Sequence, residues 1–516
     1  MGRKKQIDNT PRIEILDTTL RDGEQTSGVA FAPQEKLSIA RLLLTELQTD
    51  RIEIASARVS SGEFESVRQV CSWARKKKFI DRIEILGFID KGVSIQWIKE
   101  AGGHIINLLC KGSLRHCTEQ LRKTPQEHIA DIKAEIATAQ KNKMQVNVYL
   151  EDWSNGMIHS PEYIFEMMEA LHTEKIARFM LPDTLGILDP YQSYEFCRQM
   201  ISRYPDCRFD FHAHNDYDLA VANVFSAVKA GIQGVHCTIN GLGERAGNAP
   251  LSSVLAVLHD QLGLSTGIVE SKINQVSRLV ESYSGVRIPA NKPVIGEHVF
   301  TQCAGVHADG DSKSNLYYND LLPERFGRTR EYALGKTSGK ANIRKNLEAL
   351  GIELDDEDMR KVTERIITLG DKKEQVTQED LPYIISDVLN HNVENQKIRL
   401  LNYSLSLAQG LHPVAVVKIE IHSKQYEQTA TGDGQYDAFV KALRTIYKQQ
   451  LKREFPMLTN YTVDIPPGGR TDAFVQTVIT WQYHKHSFKT RGLDADQTEA
   501  AIQATVKMLN QIEDMK

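Results

Sequence analysis

Two histidines and an aspartate in separate segments could together bind a divalent metal ion. The segment FHAHND places His212 and His214 two positions apart, and on a strand that spacing points both imidazoles to the same side. Asp22 lies in the segment LRDGEQ, directly after the apolar run IEILDTT. A histidine pair of this kind is by itself more often structural than metal-binding. However, two histidines and one carboxylate leave coordination positions open for a substrate, and both segments fall where a predicted strand ends, so we predict a metal centre.

Further polar residues follow other predicted strands. Glu151 ends the run VYLE, and it is a candidate general acid or base because glutamate is a less natural helix cap. Asp183, in LPDTLG, is more simply interpreted as the N-cap of the next helix. The segment NGLGERAGNAP is either a weak phosphate-loop signal or a tight turn that needs glycine. Its Asn248 could ligate the metal ion through a neutral oxygen or order a water.

The segment AGVHADGDSKSNLYYN carries polar residues outside this strand pattern. It contains His307, Asp309 and Tyr317, and its composition predicts a loop. Either the loop is simply exposed, or these three side chains contribute to a site. The residues alone leave both interpretations open.

Eight apolar, strand-like runs alternate with helix-period segments through the first half of the chain. Parallel strands with right-handed crossovers close naturally into a (β/α)8 TIM barrel, and eight regular repeats favour this α/β fold over an open doubly wound sheet. Active sites of such barrels lie at the carboxyl ends of the strands, where Asp22, Glu151 and His212 fall. The predicted strands begin at Ile13, Arg51, Arg82, Ile105, Gln145, Arg178, Arg208 and Gly234.

The remainder of the chain divides into two further regions. We predict a catalytic barrel with its following active-site loop over residues 1–325 and a helical linker over residues 326–395. Residues 396–516 contain a pattern of three strands and a helix (βββα) that occurs twice, which predicts a separate α+β domain. This domain has no obvious catalytic cluster.

Composition argues against several classes of function. The 516-residue chain carries 63 basic and 67 acidic residues, and its net charge of −4 argues against a general nucleic-acid or membrane-surface protein. Seven cysteines without a CxxC pair fit reduced thiols in the cytoplasm. The basic amino terminus lacks the apolar run of a signal peptide, and no stretch approaches the roughly 18 apolar residues of a membrane span.

Several of these motifs together resemble those of a known enzyme family. LRDGEQ with Lys36 downstream, FHAHND, NGLGERAGN and GVHADG are similar, in the same order, to signatures of the 2-isopropylmalate, homocitrate and citramalate synthases. The duplicated tail, with TGDGQYDAF and PPGGRTDAF, resembles the regulatory domain of that family. The resemblance covers nearly the whole chain. It implies an acyltransferase that condenses the co-substrate acetyl-CoA with a 2-oxo acid and then hydrolyses the thioester.

The resemblance also implies roles for the residues around the predicted metal centre. Asp22, His212 and His214 would hold a divalent ion (Mn, Zn or Mg), and this ion would polarise the ketone of the oxo acid. Arg21 would stabilise the alkoxide that develops on the ketone oxygen. Thr184 would hold the carboxylate of the oxo acid by a hydrogen bond.

The family further implies two candidate bases, which come from different chains. Glu151 and His307 are the candidates that match the family, and His307 is expected to reach the site from a second protomer, accompanied by Asp309 and Tyr317. The resemblance does not divide the proton transfers between Glu151 and His307. It implies a homodimer in which each active site draws on both chains.

Three other functions would use part of the same residue set. They are a lyase of the same metal-barrel superfamily, a non-haem iron oxygenase, and a non-enzymatic amino-acid sensor. The regulatory tail counts against the lyase, and the predicted barrel counts against the oxygenase. An intact set of Arg21, Asp22, His212 and His214 counts against the sensor.

Tyr149 predicts the size of the oxo acid. It lies two positions before Glu151, hence on the same face of the strand, and a tyrosine there would shrink the pocket to about a methyl group. Leu86 and Leu109 could complete an apolar wall. EIASARVSSGE and YLEDWSNG also resemble the citramalate synthases most. We therefore predict pyruvate as the substrate, with the 2-isopropylmalate and homocitrate synthase reactions as alternatives, although Tyr149 could instead only pack the barrel.

The tail domain is implied by the resemblance to bind an end-product amino acid at the dimer interface. For a citramalate synthase that inhibitor is isoleucine. Tyr436 and Asp437 in the first repeat, and Gly468 and Gly469 in the second, are the candidate contacts, because glycine-rich turns expose N–H groups to a carboxylate. Alternatively, Asp437 is a simple N-terminal helix charge and the glycines are plain turns.

Overall fold

The computed structural model describes residues 12–371, 376, 378, 381–388, 397–464, 475–484, 486–494 and 496–514. The chain divides into two compact units. The first comprises Met1–Phe300 and Tyr318–Arg330, and the second comprises Thr301–Tyr317 and Glu331–Lys516. Among the described residues, no helix is both long and apolar enough to cross a bilayer.

The first unit contains a closed barrel of eight parallel strands, which confirms the predicted (β/α)8 fold. Each strand pairs with the next in sequence, and the first closes against the eighth, with Leu16 aligned to His236. The strands are β1 Glu14–Asp17, β2 Arg51–Ser56, β3 Ile83–Phe88, β4 Ile105–Lys111, β5 Gln145–Glu151, β6 Arg178–Asp183, β7 Phe209–Ala213 and β8 Gly234–Cys237. The helices are α1 Pro33–Thr45, α2 Ser61–Lys77, α3 Val93–Glu100, α4 Pro125–Lys141, α5 Trp153–His159, α6 Pro161–Leu171, α7 Pro190–Arg203, α8 Ala220–Ala230, α9 Leu251–Leu262 and α10 Ile273–Ser284.

The barrel strands bury residues on both faces, but the two faces differ in chemistry. In β2, Ile52 and Ile54 belong to the large apolar core of this unit. The alternate residue Arg51 instead reaches across the barrel to Glu84 and Asp210 through hydrogen bonds. Strand periodicity thus sends one set of side chains into the apolar core and the other into a polar barrel interior.

Two helices of the barrel begin with the side-chain caps that their sequences indicate. Thr124 opens α4 with a capping box, and Asp189 caps α7 in the same way. The predicted N-cap at Asp183 is therefore wrong. Its carboxylate accepts hydrogen bonds from the backbone N–H groups of Ile187 and Leu188, in the loop before the helix, at 3.0 and 3.1 Å.

The second unit begins with a segment that differs from the sequence expectation. Residues predicted to form a loop instead form helix α11, Gly305–Ser314. Glycine and serine are poor helix formers, but Gly305 packs against Gly339 so closely that a Cβ there would lie 2.7 Å from the Gly339 backbone. Tertiary packing therefore outweighs the low local propensity.

The following part of the second unit is helical, as the sequence indicates. Short strands β9, Thr301–Gln302, and β10, Glu331–Tyr332, pair in parallel. Helices α12 Lys340–Leu350, α13 Asp356–Asp371 and α14 Leu381–Val388 then share a small apolar core.

The carboxyl-terminal part confirms the duplicated βββα pattern. Each repeat forms a three-stranded antiparallel sheet followed by a helix, and one apolar core that includes Phe439, Trp481 and Leu509 joins both repeats. The elements are β11 Ile398–Ser406, β12 Val414–Ile421, β13 Lys424–Thr431, α15 Gln435–Thr445, β14 Met457–Asp464, β15 Val475–Tyr483, β16 His486–Asp494 and α16 Gln497–Asp514.

Candidate active site

Asp22, His212 and His214 converge at the carboxyl end of the barrel. Asp22 lies in the turn after β1, His212 lies in β7, and His214 follows β7 directly. The Asp22 Oδ2 atom is 3.2 Å from His212 Nε2 and 3.8 Å from His214 Nε2, and all three residues are buried. One possible ligand atom from each residue lies within 4.8 Å of the others, a spacing that one metal ion can bridge.

Asn248 adds a neutral oxygen to this cluster. Its Nδ2 donates hydrogen bonds to Asp22 Oδ1 and to the Leu242 carbonyl, both at 3.0 Å. Its Oδ1 is buried and has no hydrogen-bond partner among the described residues. A Cβ on Gly243 would lie 2.2 Å from Asn248 Nδ2, so the loop approaches this closely only because residue 243 is glycine. The donor set of two imidazoles, a carboxylate and an unpartnered amide oxygen fits a divalent cation.

The surroundings of Asp22 keep its carboxylate ionised. Burial opposes the charge, but the Arg21 guanidinium and the two histidines outweigh burial and hold the pKa of Asp22 well below its usual range. Burial lowers the pKa of His214 to about 4, so this imidazole is neutral at pH 7. Metal binding requires a charged carboxylate and neutral imidazoles, and these two groups are in those states.

Arg21 is held beside the cluster by two carboxylates. Its Nη1 donates to Asp22 Oδ2 at 2.9 Å, and its Nε donates to Glu53 Oε2 at 2.6 Å. Burial works against the cation, but Glu53 and Asp22 outweigh it and raise the pKa of Arg21. Glu53, which the sequence analysis did not single out, also accepts a hydrogen bond from Asn107 Nδ2 at 2.7 Å. Charged residues alternate with isoleucine in RIEIAS, and that alternation is the sequence signal for Glu53.

Glu151 forms an ion pair with Lys111 across the ends of β5 and β4. The two side chains are 26% and 11% exposed, so the pair lies largely out of water. The Lys111 ammonium therefore contacts the Glu151 carboxylate and fixes its orientation. Lys111 was not predicted from the sequence. It ends the apolar run IINLLCK, and a charged residue at the end of an apolar run is the same signal that indicated Asp22 and Glu151.

Thr184 follows β6 at the same end of the barrel. Its hydroxyl oxygen accepts a hydrogen bond from the Asp152 backbone N–H at 2.9 Å, which leaves the hydroxyl proton available to a ligand. Its carbonyl accepts a hydrogen bond from Arg245 Nη2 at 2.8 Å. These contacts hold the residue in place on the rim.

Tyr149, Leu86 and Leu109 lie together inside the barrel, in one apolar cluster with Leu16 and Met180. The Tyr149 ring stands edge-on to the His212 ring, with the centroids 6.1 Å apart. The cluster is therefore next to a candidate metal ligand, where it can contact the side chain of a substrate bound there.

His307, Asp309 and Tyr317 belong to the second unit. His307 and Asp309 lie on α11, and Tyr317 follows it. The rings of His307 and Tyr317 are 4.2 Å apart, and Asp309 pairs with Lys313 at 2.6 Å, one helical turn away. The predicted role of these residues at the barrel site stays a prediction.

The predicted regulatory residues lie partly within the described structure. The Tyr436 hydroxyl is 2.7 Å from Thr505 Oγ1. Asp437 accepts a hydrogen bond from the Asp433 N–H at 2.9 Å and pairs with Lys441 at 2.6 Å, contacts that suit a charge at the start of α15. Gly468 and Gly469 lie outside the described residues.

Three family models match successive parts of the chain. Residues 12–280 match the model described as HMGL-like. Residues 294–374 match the homocitrate synthase post-HMGL domain-like model. Residues 375–513 match the LeuA allosteric (dimerisation) domain.

Relatives with names cover almost the whole chain. A protein from Methanopyrus kandleri, provisionally named (R)-citramalate synthase CimA, is 35% identical over 489 residues, which is 92% of each chain. The chain belongs to the isopropylmalate and citramalate synthase family. Two members of this synthase family from Methanocaldococcus jannaschii are each 32% identical to it. The 2-isopropylmalate synthase aligns over 99% of this chain and 97% of its own, and the (R)-citramalate synthase CimA over 97% and 99%.

Membership in this synthase family confirms two sequence predictions. The first is the family resemblance itself, and the second is the class of enzyme, a condensing acyltransferase. The LeuA match also supports a dimerising, allosteric carboxyl-terminal domain. The 2-isopropylmalate synthase and the (R)-citramalate synthase of Methanocaldococcus jannaschii are equally similar to this chain, so the family includes synthases named for two different products.

Proposed function

We propose that the protein is an (R)-citramalate synthase, which condenses acetyl-CoA with pyruvate and hydrolyses the thioester. The observation that carries this proposal is the position of Tyr149, which lies inside the barrel beside His212 with Leu86 and Leu109 around it. The product belongs to a pyruvate route to isoleucine.

The seven thiols, five of them buried, support a cytoplasmic location.

The size of the pocket favours pyruvate over larger oxo acids. Tyr149 is only 3% exposed and Leu86 5%, so both side chains are closely surrounded by other atoms of the barrel. Forcing extra methylene groups into a filled apolar site costs about 1–3 kcal/mol, which corresponds to roughly 10- to 200-fold in selectivity. The methyl group of pyruvate avoids that cost, whereas the isopropyl group of 2-oxoisovalerate does not.

Each chemical step of the proposed reaction has a candidate residue. A divalent ion held by Asp22, His212, His214 and Asn248 would supply Lewis-acid polarisation of the ketone. The permanent charge of Arg21 stabilises the negative charge that develops on the ketone oxygen when the new carbon–carbon bond forms.

The substrate carboxylate and the proton transfer involve two further parts of the rim. The Thr184 hydroxyl donates to the carboxylate of the oxo acid. Glu151, directed by Lys111, and His307, which acts from the partner chain of a homodimer, share the proton transfers, and one of them takes the methyl proton of acetyl-CoA. Asp309 and Tyr317 accompany His307. Water then cleaves the thioester and releases the thiol of coenzyme A.

The second candidate function is that of a 2-isopropylmalate synthase, and the third is that of a homocitrate synthase. The equal identity to two relatives with different names favours keeping the first of these alternatives. The decisive experiment measures thiol release from acetyl-CoA with a panel of 2-oxo acids. A higher kcat/KM for 2-oxoisovalerate than for pyruvate would replace the proposed function with this alternative.

Truncation of the pocket tyrosine is expected to change the preferred oxo acid. In Tyr149→Ala, the ratio of kcat/KM for 2-oxoisovalerate to that for pyruvate should rise about 10- to 100-fold, because the side-chain space opens. The thiol-release assay measures both values. Tyr204→Ala is the matched control, since Tyr204 is a buried tyrosine at the end of α7 and outside the pocket cluster. An unchanged ratio in Tyr149→Ala would remove Tyr149 from the substrate pocket.

We also propose that isoleucine binds the carboxyl-terminal domain and inhibits the enzyme. The LeuA match and the proposed reaction support this assignment, and Tyr436 lies where the two repeats meet, in contact with Thr505. Inhibition would act through the segment that carries His307, because displacement of that residue removes a base from the site.

Calorimetry with the full chain tests the regulatory proposal. Isoleucine should bind more tightly than leucine and raise the KM for pyruvate by about tenfold, and pyruvate should weaken isoleucine binding by a similar factor, because allosteric coupling is reciprocal. A chain ending at residue 395 should lose the inhibition. Tighter binding of leucine, with inhibition by leucine alone, would contradict the proposal.

A further inference from the structure

The hydroxyl of Tyr149 has one hydrogen-bond acceptor within the barrel. It lies 2.8 Å from Nδ1 of His236, a residue of β8 that is 1% exposed. The other polar contact of the hydroxyl is Arg21 Nη2, at 3.4 Å. A guanidinium can only donate, so Arg21 cannot accept the proton of the tyrosine.

The partner on the far side of His236 fixes its tautomer. His236 Nε2 lies 3.4 Å from Asp210 Oδ2, and Arg51 and Arg178 both pair with that carboxylate. Two guanidinium groups keep Asp210 ionised, and an ionised carboxylate only accepts hydrogen bonds. The proton of His236 therefore resides on Nε2, and Nδ1 is the acceptor for the Tyr149 hydroxyl.

We propose that His236 is a positioning residue for substrate selectivity, which holds the Tyr149 ring across the oxo-acid pocket through the hydrogen bond to Nδ1. The inference rests on the proposed function, in which Tyr149 makes the pocket small. It adds that His236 keeps Tyr149 in that orientation. His236 lies beside the pocket and acts through Tyr149.

Apolar packing alone would not hold the ring in this orientation. The neighbours of Tyr149 in its cluster are Leu16, Leu86, Leu109 and Met180, none of which is branched at Cβ, so these side chains can adjust around a rotated ring. Without His236, the buried hydroxyl would face only the donor Arg21, and an unsatisfied buried hydroxyl favours rotation toward another acceptor. A rotated ring would open the side-chain space that it now fills.

The two contacts of His236 can be separated by substitution. His236→Leu replaces the imidazole by an apolar side chain of similar size and removes both contacts, including the acceptor for Tyr149. His236→Asn places a carbonyl oxygen near the position of Nδ1 and gives up the contact with Asp210. Tyr149→Phe removes the hydroxyl and leaves His236 in place.

Steady-state kinetics with pyruvate and 2-oxoisovalerate tests the proposal. In His236→Leu, the kcat/KM ratio of pyruvate to 2-oxoisovalerate should fall about five- to tenfold, the effect of one buried hydrogen bond. The change should appear mainly as a lower KM for 2-oxoisovalerate, with the KM for acetyl-CoA unchanged. Tyr149→Phe should lower the ratio similarly, and the double variant should lower it no further, because both changes remove the same contact. His236→Asn should restore most of the wild-type ratio.

Several outcomes would overturn the proposal. An unchanged ratio in His236→Leu, additive effects in the double variant, or an Asn variant as unselective as the Leu variant would each show that His236 does not orient the ring. If His236→Leu does not fold, Tyr149→Phe decides, since an unchanged ratio in that variant also overturns the proposal. A wild-type enzyme that prefers 2-oxoisovalerate would instead overturn the proposed function, and it is recognised without any variant.

Discussion

Asp22→Ala is expected to lower the rate of condensation by about 10³-fold, because the substitution removes the only charged ligand of the proposed metal centre. The Asp22 carboxylate lies 3.2 Å from His212 Nε2 and 3.8 Å from His214 Nε2. It also accepts a hydrogen bond from the Asn248 side-chain amide. Its loss leaves two imidazoles and the amide oxygen of Asn248, which bind a divalent ion far less tightly than the complete set does. The fold should persist, since Arg21 keeps its ion pair with Glu53.

Two measurements separate loss of metal from loss of structure. Thiol release with acetyl-CoA and pyruvate gives the activity, and titration calorimetry with Mn²⁺ gives the affinity for the metal. Asp131→Ala is the matched control, because Asp131 is a partly exposed carboxylate on the outer helix α4 whose one ion pair among the described residues is with Lys123. Full turnover by the wild-type protein after chelation of all divalent ions would rule out the proposed mechanism.

Hybrid dimers of two inactive chains are expected to recover activity. Glu151→Gln and His307→Ala should each be nearly inactive as homodimers, because each removes one of the proposed bases. If His307 acts on the barrel of the partner chain, one of the two sites in a hybrid dimer combines an intact Glu151 with an intact His307. A statistical mixture would then regain about one quarter of wild-type activity, since about half of the dimers are hybrids with one intact site each.

Differently tagged chains allow the hybrid to be isolated by two affinity steps before the assay. The purified hybrid should have about half the activity of the wild-type dimer. A dimer of two differently tagged His307→Ala chains, carried through the same steps, provides the control for tags and handling. No recovery in a verified hybrid would show that each chain builds its own site.

The sequence by itself determined the barrel and the members of the candidate metal centre. Strand side chains alternate between two faces, so His212 and His214 had to point the same way, and strands that close in parallel bring their carboxyl ends to one rim. Asp22 and Glu151 follow from the same rule, because each stands where an apolar run ends. These inferences need only local periodicity and the fact of closure.

The tertiary structure decided the partners of those residues. Glu53 beside Arg21, Lys111 beside Glu151, and His236 beside Tyr149 are pairs separated by 32, 40 and 87 positions in the chain. Periodicity shows that a side chain points inward, but the register between strands determines which inward side chain it meets. For the same reason, the sequence of α11 alone does not predict the contact between Gly305 and Gly339 that supports this helix, because Gly339 lies in a distant part of the chain. Contacts between segments remote in sequence exist only once the chain has closed upon itself, and the orientation of the pocket tyrosine is one of them.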